Sequence, residues 1–171
     1  MNTTKPDFRH IVDQYSDRIY NHAVRFLGSR ENAEDALQEI FIRIYKNLDQ
    51  FKGDSDIYTW IYRITVNVCL SIASKTKKYS FIVTEDDDDI QRVDNYDFQK
   101  NPLDELIQKD NLETIQSAIR QLPPELSNVL ILFYFDDLKY ENIAKILDIP
   151  LGTVCTRLYQ ARKELKKALL K

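Results

Sequence analysis

Glycine is scarce in this chain, with three in 171 residues. That shortage argues against a Gly-rich phosphate loop and against an all-β fold built on many tight turns. Cysteine is scarcer. Cys69 and Cys155 stand far apart, with no CxxC and no nearby histidine, and read as two thiols in a reducing compartment. No apolar run approaches the ~20 residues that span a bilayer. The amino-terminal stretch MNTTKPDFRH lacks the apolar segment of a secretory signal. A soluble, intracellular protein is expected. The converging site of an enzyme is also missing. His10 and His22 lie on one predicted helix with no nucleophile or metal spacing around them, and Glu34-Asp35 falls on a solvated face. No catalytic residue, no metal site and no cofactor are expected.

Hydrophobic residues make up 43% of the chain, enough for the core of one domain or of two small ones. The net charge of −3 disfavours nucleic acid at first sight, but its distribution does not. Residues 67–80 carry Lys75, Lys77 and Lys78 and no acid. Residues 81–111 hold ten acids against three bases, and residues 137–171 hold eight bases against four acids. Two basic patches thus flank an acidic segment, and local charge decides where phosphate binds.

Apolar spacing of three and four predicts a helix over 7–28, carried by Phe8, Ile11, Tyr15, Ile19, Ala23 and Phe26. A second runs from about Glu31 to Leu48 with an apolar stripe of Leu37, Ile40, Phe41, Ile44 and Leu48. Ile42 sits alone in its polar face, either an isolated exposed residue or part of a partner-binding surface. After a turn at Phe51–Asp56, where Asp54 or Ser55 can cap, Ile57–Ser74 is rich in β-branched residues that favour strands. Its period is nevertheless helical, with Ile57, Ile61, Ile64, Val68 and Ile72 on one face and Thr59, Arg63, Asn67 and Ser74 on the other. The run TEDDDDIQRVDNYDFQKN reads as a solvated linker. Helices resume over Leu106–Leu122, after Pro123-Pro124, over Tyr140–Leu147 and from Leu151 to about Leu170.

The sharpest motif is YENIAKILDIPLGTVCTRLYQARKELKK, residues 140–167. Ile143, Ala144 and Leu147 form the inner face of one helix, Ile149 anchors a turn, and Val154 and Leu158 line the inner face of the next. Small Ala144 permits a close crossing, the layout of a helix-turn-helix whose second helix enters the major groove. That helix would present Thr153, Thr156, Arg157, Tyr159 and Gln160 to base edges, with Arg162, Lys163, Lys166 and Lys167 suited to phosphates. A second constellation is SDIYTWIYRITVNVCLSIASKTKK, residues 55–78. Tyr58, Trp60 and Tyr62 lie near Arg63 and Asn67 and are followed by Lys75, Lys77 and Lys78. Aromatics beside bases suit single-stranded DNA, and aromatics at helical spacing equally suit a core.

The segments DALQEIFIRIYKNLDQFKGDSDIYTWIYRITVN (35–67) and LPPELSNVLILFYFDDLKYENIAKILDIPLGTVCTRLYQAR (122–162) together resemble the extracytoplasmic-function (ECF) group of sigma-70-type sigma factors. The resemblance implies an all-α chain of two small helical domains: a region 2 domain over 1–80, a flexible acidic linker over 81–106, and a region 4 domain with the helix-turn-helix over 107–171. It implies that Asp35, Gln38, Glu39, Ile42 and Arg43 bind the clamp helices of the largest subunit of core RNA polymerase. It assigns Tyr58, Trp60, Tyr62, Arg63, Asn67, Lys75, Lys77 and Lys78 to the minus-ten element, with Asn67 as first candidate for capturing an unstacked base. Thr153, Cys155, Thr156, Arg157, Tyr159, Gln160, Arg162, Lys163 and Lys166 then meet the minus-thirty-five duplex. Cys155-Thr156 stand where members commonly carry a basic residue and serine, and Gln160 where a basic residue is frequent, which should weaken phosphate attraction. Implied partners are core polymerase, duplex and single-stranded promoter DNA, and an anti-sigma factor able to hold a cytoplasmic, nucleoid-associated protein near the inner membrane. A free-standing helix-turn-helix regulator is the main rival, and it leaves the second basic patch unexplained.

Overall fold

The computed structural model describes residues 7–53, 55–75 and 112–170, and every regular element among them is helical. Helix α1 (Phe8–Leu27) starts at Asp7, whose carboxylate accepts from the Arg9 N–H, and stops at Gly28. Gly28 takes φ 69°, the left-handed conformation in which glycine carries no side-chain penalty, and its N–H closes on the Val24 carbonyl. A Cβ at Gly28 would also run into the Arg120 side chain. Ser29 then caps α2 (Arg30–Asn47), its hydroxyl accepting from the Asn32 N–H at 3.3 Å. A 3₁₀ turn, Leu48–Gln50, leads to α3 (Ile57–Lys75). Asp54 lies outside the described residues, as does the stretch 76–111 with Lys77, Lys78 and the acidic segment.

The second group comprises α4 (Leu112–Arg120), α5 (Pro124–Tyr134), α6 (Tyr140–Leu147) and α7 (Leu151–Leu169). Pro124 opens α5 where a missing N–H costs nothing. Asp148, at φ 55°, closes α6 in the left-handed conformation that Asp tolerates better than most residues.

The first three helices pack on one another through Ile11, Ile19, Ala23, Phe26, Ala36, Ile40, Ile44 and Ile61, all 0–1% exposed. The two groups of helices do not stand apart. One apolar cluster runs from these residues through Ile115, Ile119, Leu130 and Leu165 of the second group, with α4 and α5 against α1 and α6 against α3. This explains a difference from the pattern read in α3. That reading gave one buried face and put Thr59 on the solvated one. Thr59 is buried, and so are Tyr62, Thr65 and Val66. Tyr62 and Val66 share a second core with Val129, Leu132, Leu138, Ile143, Val154 and Leu158. Helix α3 is thus buried on two sides. The Thr65 hydroxyl, deprived of water, donates to the Ile61 carbonyl at 3.0 Å, a local solution open to threonine in a buried helix.

Candidate nucleic-acid and polymerase interfaces

The helix-turn-helix is formed by α6 and α7. Ile143 and Ile146 of α6 and Val154, Leu158 and Ala161 of α7 are buried, which turns the other face of α7 outward. Leu151, Tyr159, Gln160, Lys163 and Lys166 are exposed, while Thr153, Cys155, Thr156 and Arg157 are half-buried at its edge. Three of the polar groups expected at DNA are engaged within the protein. Thr156 Oγ1 donates back to the Gly152 carbonyl. Arg162 Nε donates to Tyr134 Oη at 2.9 Å, and its guanidinium lies over the Phe133 and Tyr134 rings. Lys167 pairs with Glu164 at 2.7 Å on the surface.

On α2, Asp35, Gln38, Ile42 and Arg43 are exposed and Glu39 is half-buried. Arg43 Nε donates to Glu39 one turn back at 2.7 Å, a solvent-screened pair of small stabilising value. Ile42 is 48% exposed in the middle of these polar groups, and Tyr45 nearby is 67% exposed, edge-on to Phe8.

The α3 set divides. Asn67, Ser74 and Lys75 are exposed, and Trp60 is half-buried against Phe51, ring centroids 5.3 Å apart. Tyr58 stacks at 4.5 Å on Tyr62, which is fully buried. Arg63 Nη2 donates to the Lys145 carbonyl of α6 at 2.6 Å. The helix expected to meet single-stranded DNA therefore rests, through Tyr62 and Arg63, on the first helix of the helix-turn-helix.

Two family models match the chain, sigma-70 region 2 over residues 11–79 and sigma-70 region 4 over residues 112–165. The chain is similar to the ECF RNA polymerase sigma factor SigW of Bacillus subtilis (strain 168), at 35% identity over 95% of this chain and 88% of that protein. It is 34% identical to the RNA polymerase sigma-H factor of Pseudomonas aeruginosa, over 96% of this chain and 87% of that one. The chain belongs to the ECF sigma factors. Among solved structures, the fold is similar to the sigma factor RpoE of Bartonella quintana in complex with the anti-sigma factor NepR, with TM-score 0.70, 21% identity and coverage of 96% and 97% of the two chains. It is also similar to CnrH in complex with the cytosolic domain of CnrY, with TM-score 0.68, 18% identity and coverage of 95% and 86%.

Sequence spacing gave no sign of the polar cluster between the two groups of helices in this sigma factor. His22 Nδ1 lies 2.7 Å from Asp136 Oδ2 across 114 residues, and Tyr62 Oη donates to Asp136 Oδ1 at 3.3 Å. Arg25 lies over the Phe135 ring at 4.6 Å beside it. Burial raises the Tyr58 phenol to about 12. It raises Tyr62 further, with the Asp136 carboxylate adding to the effect. Burial pushes the Cys69 thiol up to about 12 and also raises Cys155, so neither is activated as a thiolate. Among the described residues no group of three or more His, Cys, Asp and Glu could hold a metal, and no helix is long and apolar enough to cross a membrane.

These phenols give a pH prediction. A raised pKa means that folding favours the protonated form. The stabilisation is therefore complete below the ordinary tyrosine value of ~10 and is lost as pH rises through the folded values. In an alkaline titration followed by tyrosinate absorbance and circular dichroism, Tyr58 and Tyr62 should ionise only as helicity falls. Ionisation of all tyrosines in one step, ahead of any loss of helix, would contradict the burial of this pair.

Proposed function

We propose that this sigma factor works by binding alone, as a transcription initiation factor without catalytic chemistry of its own. Helix α2 docks on core RNA polymerase through Asp35, Gln38, Glu39, Ile42 and Arg43. Helix α3 captures the minus-ten strand, with Asn67 and Trp60 toward the bases, Tyr58, Tyr62 and Arg63 joining them once freed, and Lys75, Lys77 and Lys78 on phosphates. Helix α7 reads the minus-thirty-five duplex through Thr153, Cys155, Thr156, Arg157, Tyr159 and Gln160, steadied by Arg162, Lys163 and Lys166. Functional units of 1–80, 81–106 and 107–171 accompany these roles, with polymerase setting the distance between the DNA-binding units.

The observation that carries this reading over a free-standing helix-turn-helix regulator is Ile42. An isoleucine 48% exposed at the centre of a polar face, on a helix separate from both DNA-binding helices, suits a protein partner. An anti-sigma factor is proposed as a further partner, supported by neighbours of the same fold solved with such factors. The working place is the bacterial cytoplasm at the nucleoid, close to the inner membrane when an anti-sigma factor holds the chain there.

Run-off transcription with core polymerase on genomic promoter fragments tests the reading. Discrete new transcripts are expected with the protein present. Asn67→Ala should reduce them about tenfold or more, the scale of one lost base contact. No transcripts, together with no binding to core polymerase, would leave a free-standing duplex-binding regulator as the better account.

A further inference from the structure

Helix α7 is held to the rest of the protein by Val154, Leu158, Ala161 and Leu165, buried residues three and four apart. Such a stripe fixes how near the helix lies. Apolar contacts are not directional, however, and leave its rotation about its own axis loosely set. Arg162 follows Ala161 directly, so the helical step of about 100° places it at the margin of the buried stripe. Lys163, one step further round, is exposed together with Tyr159, Gln160 and Lys166. By residue type Arg162 groups with these lysines as a phosphate contact. Its surroundings differ from theirs.

Arg162 is half-buried, and its Nε donates to Tyr134 Oη at 2.9 Å. The guanidinium carbon lies over the Phe133 and Tyr134 rings, 5.4 and 5.5 Å from their centroids. The two rings stand edge to face, 4.9 Å apart at 88°, and Phe133 also meets Tyr140 at 5.2 Å. Phe133 and Tyr134 close α5, and Tyr140 opens α6. Three aromatic side chains thus tie the end of α5 to the start of α6, and one planar cation fastens α7 to them. A guanidinium that stacks on rings and donates to a phenol is fixed in position and in angle, whereas an ammonium is a point charge with rotating donors. Thr156 lies roughly 9 Å before Arg162 along the axis, so a turn of the helix at Arg162 carries Thr156, Tyr159 and Gln160 with it.

We propose that Arg162 is a positioning residue of the DNA-reading helix: it acts through Tyr134 and Phe133 to set the rotation of α7, and not as a phosphate contact. The inference rests on the assignment of α7 to the minus-thirty-five duplex, and it changes how Arg162 serves that assignment. A phosphate contact adds affinity for any duplex and steepens the salt dependence, while orientation adds discrimination between sequences. The two roles therefore separate in measurement.

The test uses the full chain bound to core polymerase, which first selects binding sequences from a pool of random duplexes. Affinity is then measured, over a range of salt concentrations, for a selected duplex and for the same duplex with its upstream element scrambled. Arg162→Lys keeps the charge and should lower the selected-to-scrambled ratio about tenfold, the scale of one base contact. Arg162→Met should do the same, with the affinity for the scrambled duplex and its salt slope unchanged. Tyr134→Phe removes only the accepting hydroxyl, on a helix other than α7, and should lower the ratio about threefold. Added to Arg162→Met it should lower the ratio no further, since both changes break one contact. Partial unfolding weakens both affinities alike and leaves their ratio in place, so a loss of stability does not imitate the result. If Arg162→Met weakens both duplexes equally and lowers the salt slope by about one, while Arg162→Lys and Tyr134→Phe match the parent, Arg162 is a phosphate contact and the proposal falls. Should Arg162→Met fail to fold by circular dichroism, Arg162→Lys and Tyr134→Phe decide by the same ratio. A pool that enriches no upstream element overturns the duplex reading of α7 itself, a failure visible with the parent protein before any variant is made.

Discussion

Ile42→Glu should lower the affinity of this protein for core RNA polymerase about 30-fold or more and leave its fold intact. The side chain projects from the polar face of α2 and is 48% exposed. The thermal midpoint and helicity should therefore stay close to those of the parent. On the docking face proposed for polymerase, the same position would be the dry centre of an interface rimmed by Asp35, Gln38 and Arg43. A carboxylate there loses the apolar contact and must also shed its water, a combination that costs more than 2 kcal/mol at typical interface centres. Fluorescence anisotropy of labelled protein titrated with core enzyme measures the change. Duplex binding by the isolated protein should not change, because α7 lies elsewhere. Equal polymerase affinity for the variant and the parent would remove α2 from the interface and with it the main argument against a free-standing regulator.

Leu130→Ala should be the most damaging of the single core truncations in the second group of helices, at about 3 kcal/mol. Leu130 is 0% exposed in α5 and belongs to the cluster that runs continuously into Ile11, Ile19 and Phe26 of the first group. A cavity there would open in a core that both groups of helices share. Domains of this size have total stabilities of about 5–15 kcal/mol, so the loss should lower the melting temperature by roughly 6–12 °C. The shared core makes a second claim: the parent protein should unfold in one calorimetric transition. Two separated transitions, with Leu130→Ala moving only one of them, would mean that the halves are energetically independent in solution.

The shared core also marks where sequence reasoning stopped. The helix pattern could be read throughout the described residues, with ends displaced by one or two positions. Each helix is bounded by local chemistry, such as Gly28 in the left-handed region, Ser29 at a cap, Pro124 in a first turn and Asp148 in a turn. The helix-turn-helix was readable for the same reason, since Ile143, Ala144, Val154 and Leu158 lie within a few turns of one another. The second buried side of α3 was not. Tyr62 and Val66 are compatible with either a DNA-facing or a core position, and only the approach of α5 and α6 distinguishes the two.

The sequence by itself determined that this is an all-helical chain with a basic-aromatic helix, a helix-turn-helix and an isolated isoleucine on a polar face. Those features depend on residue spacing within single elements, where steric and hydrogen-bonding rules act over four residues or fewer. Only the tertiary structure decided that α3 rests on α6, that exposed Arg63 donates to the Lys145 carbonyl, and that His22 and Tyr62 share one carboxylate. His22 and Asp136 are 114 residues apart. A histidine and an aspartate at that separation are ordinary until packing removes the water around both and leaves each as the other's partner.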